Sequence, residues 1–116
     1  MKVLRLTRHW ATSAQKAALE AAFPGCEVER ISENLPSDSR EAVARFDQLT
    51  KGFQVAEAVL PVNLLEAILK YSQFCRNGGI IIRAVMDREM DEGGNATFTF
   101  SHYEKILEIK IVTEKL

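Results

Sequence analysis

Leu60-Pro61-Val62-Asn63-Leu64 is where an apolar run stops and a helix is expected to start. Thr7-Arg8-His9-Trp10 closes the first apolar run of the chain in the same way. If both runs are parallel strands of one sheet, the two turns sit side by side at its carboxyl edge, where open α/β sheets bind their ligands. The fold and the candidate function both follow from that pairing.

Working outward, residues 3–6 form a first strand, in which Arg5 suggests a face or end that is not fully buried. Thr12 and Gln15 have capping-box spacing, so a helix runs from there to about Phe23 and stops at Pro24-Gly25. A weaker strand covers 26–31, and a loop follows over 33–39. Asp38 with Glu41 starts a second helix, carried by Val43, Phe46 and Leu49 through Lys51. A third strand spans 53–60. Asn63 and Glu66 are expected as N-cap and N3 of a third helix, with Leu65, Ile68, Leu69, Ser72 and Cys75 inward and Asn77-Gly78-Gly79 as its stop. Residues 80–86 are the most hydrophobic strand, and 87–95 read as a charged, mobile loop. A hairpin over about 96–113, turning near Tyr103-Glu104, would put Phe100, Phe98 and Ala96 opposite Leu107, Ile109 and Ile111 on one face.

This succession implies a single α/β domain over 1–116. The expected architecture is a Rossmann-like, mostly parallel sheet flanked by helices, with a C-terminal β-hairpin. Strand order 3-2-1-4 is the expected arrangement. The apolar face of the hairpin needs a cover, and a homodimer contact is the expected one.

The chain has 116 residues, with Lys and Arg at 15 against Asp and Glu at 16. No long-range field for duplex nucleic acid or an acidic membrane is expected, although a few local donors can still hold a small anion. Cys26 and Cys75 read as reduced core thiols. No signal peptide and no bilayer-spanning segment are expected, which points to the cytoplasm.

Arg8 and His9 follow the first strand directly. With the hydroxyls of Thr7, Thr12 and Ser13 and the free N–H groups of a helix start, they suit a phosphodiester: Arg8 and the N–H groups bind oxygens, and His9 moves a proton. Pro61 and Asn63 make a second helix-start site, and Trp10 could stack on a base. Each has a plainer reading, as solvated loop, simple cap or core packing. His102 reads as a rim or structural residue, and Asp87, Glu89, Asp91 and Glu92 as a solvated loop more than a cation site. The spacing supports no zinc site and no cofactor.

A strand ending in Thr7-Arg8-His9 and a later one ending in Leu60-Pro61-Val62-Asn63-Leu64, in that order and spacing, resemble the small CRISPR-associated ring nucleases. These are single-domain relatives of the CARF sensor domains of type III CRISPR systems. The resemblance implies a Rossmann-like homodimer that binds a cyclic oligoadenylate, most often the tetra-adenylate, across its two-fold axis. It implies metal-independent cleavage, in which a ribose 2′-hydroxyl attacks the adjacent phosphorus, and an off-switch for antiviral signalling. Arg8 would then bind phosphate, His9 transfer a proton and Asn63 orient the ligand. A non-catalytic cyclic-nucleotide sensor is the alternative. Leu6-Thr7-Arg8-His9 also looks like the start of a histidine phosphatase, but glycine does not follow His9 and the chain is short for that domain. A purely structural interaction protein is the remaining reading.

Overall fold

The computed structural model describes residues 1–109 and 112–116. Its elements in order are β1 (Lys2–Leu6), α1 (Ser13–Ala22), β2 (Glu27–Ile31), α2 (Ser39–Leu49), β3 (Val55–Ala58), α3 (Val62–Tyr71), α4 (Gln73–Arg76), β4 (Ile80–Met90) and β5 (Ala96–Lys105). The five strands form one sheet in the order β2-β1-β3-β4-β5, with β1 to β4 parallel and β5 antiparallel to β4. The α/β class holds, whereas the order 3-2-1-4 does not. β1 lies between β2 and β3, so the chain reverses direction across the sheet between β1 and β3. That is the switch point at which the loops after neighbouring strands diverge and leave a crevice.

Local chemistry accounts for two helix starts. Thr12 accepts from the Gln15 N–H and the Gln15 side chain from the Thr12 N–H, completing the capping box. Asp38 accepts from the Glu41 N–H. The third start differs from expectation: Pro61 is the N-cap, Asn63 lies inside the first turn, and no side chain caps α3. Proline carries no side-chain acceptor, so the first N–H groups of α3 have no side-chain partner among the described residues. Nor is the third helix continuous. Ser72 ends α3 in extended conformation and caps α4 by accepting from the Cys75 N–H, while the Asp47 carboxylate of α2 accepts from Gln73 and Phe74. A serine that can hydrogen-bond locally competes with the helix and here restarts it.

The hairpin is also revised. It is made by β4 and β5, with its turn at residues 91–95, and β5 runs straight through Tyr103 and Glu104. Gly94 supplies the positive φ of 81°, and the Asp91 side chain accepts from the Asn95 N–H. Phe100, Phe98 and Ala96 therefore face Met86, Arg88 and Met90 instead of Leu107 and Ile109; Ile111 lies outside the described residues. The expected loop at 87–95 is strand through Met90, with Asp87 and Glu89 opposite Thr99 and Thr97. His102 pairs with Val85.

Alternation divides the side chains between two faces. Under α2, α3 and α4 lies a hydrocarbon core of Leu6, Phe46, Ala56, Leu65, Ile68, Phe74 and Ile81. Under α1 lies a smaller cluster of Val3, Leu19, Val55 and Ile82, edged by Phe23, Cys26, Ile80 and Tyr103. β4 continues well past Ile82, its last residue paired with β3, so the outer parts of β4 and β5 form an arm beyond the carboxyl edge of the parallel strands. The radius of gyration is 15.7 Å, against about 13 Å for a compact chain of similar length. Met86, Met90 and Phe98 on the arm are exposed.

Candidate functional site

Register brings the two turns together. Leu6 pairs with Ala58 on β3 and with Ile31 on β2, so the loops after β1, β2 and β3 leave the sheet at one level. Between them opens a cleft of about 740 Å³, lined by Thr7, Arg8 and His9 from the first loop, Ser32 to Leu35 and Ser37 from the second, Val59, Leu60 and Pro61 from the third, and Leu64 of α3. The size falls within the range of small-molecule sites.

Of the residues singled out in the sequence, Thr7, Arg8, His9 and Pro61 meet in this cleft. Thr12, Ser13 and Asn63 do not line it. Thr12 is committed to the capping box, and Asn63 is exposed on the first turn of α3. Trp10 lies on a second groove, beside Arg30 and Lys16. Thr7, Arg8 and His9 thus form a ridge with the cleft on one side, and Trp10 continues it into the other groove.

The ridge is held from beneath by two arginines. Arg5 Nη1 donates to the His9 carbonyl at 2.9 Å, and Arg30 Nη1 donates to the Arg8 carbonyl at 3.2 Å and the Thr7 carbonyl at 3.5 Å. The His9 N–H donates to Thr7 Oγ1 at 3.2 Å, closing a short side-chain turn. With three successive carbonyls bound, the backbone that presents Arg8 and His9 is fixed. The Arg8 Nε lies 3.5 Å from His9 Nε2, which keeps guanidinium and imidazole on the same patch.

Arg5 was expected to mark an incompletely buried strand; it is 3% exposed, and Glu57, its neighbour across β1 and β3, is 4% exposed. Arg5 Nε and Nη2 donate to the two Glu57 oxygens at 2.9 and 3.3 Å, Tyr103 of β5 donates to Glu57 at 2.6 Å, and Arg5 also reaches Gln15 of α1 at 3.4 Å. Burial acts to lower the Arg5 pKa, but the hydrogen bond and charge of Glu57 outweigh it and the net shift is upward. Burial, then Glu57, pushes the Tyr103 phenol far above its ordinary range. Arg5, Glu57, Tyr103 and Arg30 escaped the reading of the sequence. One signal was present, a single basic residue in Val3-Leu4-Arg5-Leu6 and a single acidic one in Val55-Ala56-Glu57-Ala58, at matching places in two strands.

Charge at the cleft is positive. Glu33 is its acidic lining residue, and Arg45 takes its carboxylate by two donors at 2.6 Å, a hydrogen bond that holds the Glu33 pKa below the usual range. Arg8 enters no ion pair among the described residues. The uncapped start of α3 adds donor N–H groups and the positive end of its dipole at the Pro61 side of the opening. Arginine, imidazole, hydroxyl and helix N–H groups around an open cleft can hold a phosphate ester and move a proton near it.

Among the described residues no three His, Cys, Asp or Glu side chains are grouped to hold a metal ion, and no helix is long and apolar enough to cross a membrane. Cys26 and Cys75 are free and half-buried, and burial pushes the Cys75 thiol up. Comparison with protein-family models and with curated proteins finds no match to the chain.

Proposed function

We propose that the cleft binds a phosphodiester and that the protein is a ring nuclease acting on a cyclic oligoadenylate, with cyclic tetra-adenylate as the first substrate to test. The observation that carries the reading is the convergence on one open cleft at the switch point of Arg8, which enters no ion pair among the described residues, of His9 and of the uncapped amino terminus of α3. Sequence resemblance in Thr7-Arg8-His9 and Leu60-Pro61-Val62-Asn63-Leu64 supplies the ligand class.

In this reading Arg8 and the α3 N–H groups bind the non-bridging oxygens and stabilise the charge that builds on phosphorus. The ribose 2′-oxygen attacks that phosphorus in line, and the bond to the 5′-oxygen breaks. The products are a 2′,3′-cyclic phosphate and a free 5′-hydroxyl in a linear chain, with no water consumed. His9 removes the 2′-hydroxyl proton or delivers one to the leaving oxygen, and Thr7 supplies a further hydroxyl contact. A second copy of the chain belongs to the proposal, because one open cleft embraces only part of a ring and a two-fold axis offers the same groups twice. The exposed Met86, Met90 and Phe98 of the arm provide apolar surface for that contact. The cytoplasm, where such a signal would be made and removed, is the proposed compartment.

The alternative is a module of the same cleft that senses or sequesters the ring. Incubation of the protein with cyclic tetra-adenylate in EDTA separates the two. Linear product ending in a 2′,3′-cyclic phosphate is expected; recovery of bound, intact ring would replace nuclease by sensor, and absence of binding would remove both. Arg8→Ala is expected to weaken binding, and His9→Ala to slow single turnover more than it weakens binding.

A further inference from the structure

Trp10 is the only tryptophan of the chain and is 76% exposed. It is nonetheless held, since the Arg30 guanidinium carbon lies 3.9 Å from its ring centroid. Arg30 is itself fixed by the Thr7 and Arg8 carbonyls, so the cation under the indole is locked to the ridge that carries Arg8 and His9. Arg30 Nε is buried with no hydrogen-bond partner among the described residues. A ring with one face on a guanidinium and three quarters of its surface open has its second face free.

That ring borders a groove of about 540 Å³ with Ala11, Cys26 and Val28 as apolar lining and with Lys16 and Glu20 of α1 as further charged residues of opposite sign. A flat aromatic group suits these walls, with its charged part left outside the groove. Stacking on indole is indifferent to which base is offered, and a cation on the far face of the indole adds to the pre-organisation of the platform. The chain places the groove one residue from the cleft, because His9 lines the cleft and Trp10 the groove.

We infer that Trp10, on the ring face turned away from Arg30, is the stacking platform of a nucleobase site beside this groove, taking the base of a nucleotide whose phosphate lies across the ridge at Arg8. For the phosphate half this rests on the phosphodiester reading of the cleft; the stacking half stands on Trp10 and Arg30 alone. A ligand bound this way straddles the ridge, with its phosphate facing Arg8 and its base facing Trp10.

Because Trp10 is the sole tryptophan, its fluorescence reports the groove and nothing else. Adenosine 5′-monophosphate is titrated in parallel with adenosine, ribose 5-phosphate and inorganic phosphate, with binding followed independently by calorimetry. Quenching is expected with the two adenine compounds and not with ribose 5-phosphate or phosphate. Trp10→Leu is expected to weaken adenosine 5′-monophosphate about tenfold and to leave ribose 5-phosphate binding unchanged, whereas Arg8→Ala weakens both while saturating quenching persists. Calorimetric binding of adenosine 5′-monophosphate without quenching would overturn the base site and spare the cleft. Quenching by adenosine with no binding of ribose 5-phosphate or phosphate would support the base site and remove the cleft reading. Neither quenching nor binding with any of the four would overturn the base site.

Discussion

On the sheet face covered by α2, α3 and α4, the side chains of β1 and β3 are Leu4, Leu6, Ala56 and Ala58; on the face under α1, Val3 and Val55 are followed by Arg5 and Glu57. The first face is a hydrocarbon interior in which Phe46 and Phe74 meet edge to face with centroids 5.5 Å apart. The second buries an ion pair in the middle of the sheet. Hydrocarbon of similar volume would often stabilise such a position as well or better, because two desolvated charges recover little more than they lose. What hydrocarbon could not do is reach the His9 carbonyl. The difference between the faces separates two jobs: one holds the fold together, and the other holds the ridge.

Three measurements test that separation. Glu57→Ala should have the largest effect, because it leaves Arg5 buried without its counter-charge and removes the acceptor of Tyr103; a loss of about 3–5 kcal/mol is expected in chemical denaturation. Replacing the pair together, Arg5→Met with Glu57→Leu, should restore most of that stability while the backbone amides of residues 7–10 exchange faster with solvent. Wild-type exchange in the double variant would mean that the pair has no part in fixing the ridge. Phe46→Ala comes next, at about 3–4 kcal/mol for a fully buried aromatic, with nucleotide affinity and ridge exchange unchanged in the fraction that remains folded. A change in affinity there would show the faces to be coupled.

Tyr103→Phe is the mildest, about 1 kcal/mol for the lost hydrogen bond to Glu57, and its pH dependence carries the information. Burial and Glu57 raise the Tyr103 pKa in the folded protein above its ordinary value near 10. The folded state therefore holds this proton more tightly than the unfolded chain. Its stabilisation is complete below about pH 10 and is lost progressively as pH rises from there toward the raised folded value. Melting temperatures between pH 8 and 11 should fall more steeply for the wild type than for Tyr103→Phe. Parallel curves would mean that the phenol is not coupled to the pair.

Much of the fold was readable because it is written in short-range chemistry. Thr12 with Gln15 and Asp38 with Glu41 sit where the helices begin, and the apolar runs that became β1, β3 and β4 are where strands belong. The hairpin was misread because the alternation of Ala96, Phe98 and Phe100 fits Leu107 and Ile109 as readily as the observed Met86, Arg88 and Met90, and alternation by itself does not choose between registers. Asp91-Glu92-Gly93-Gly94-Asn95, taken for a mobile loop, was the turn. Asn63 was favoured as a cap on residue type, whereas the helix starts one residue after Pro61. Of the candidate site, Arg8 and His9 were legible from their place at a strand end; Trp10 was legible as a residue type but not as a residue on the other side of the ridge.

The sequence by itself determined that this chain alternates strands and helices, where two helices are capped, and that Arg8 and His9 stand at the end of the first strand, because each of these depends on residues a few positions apart. Only the tertiary structure decided that β3 lies beside β1, that Arg5 pairs with Glu57 fifty-two positions away, and that the ridge divides a cleft from a groove. The physical reason is burial. Which strand lies next to which, and which charge must find a partner, are set by the cost of removing polar groups from water, and that cost exists only once the whole sheet has closed over them.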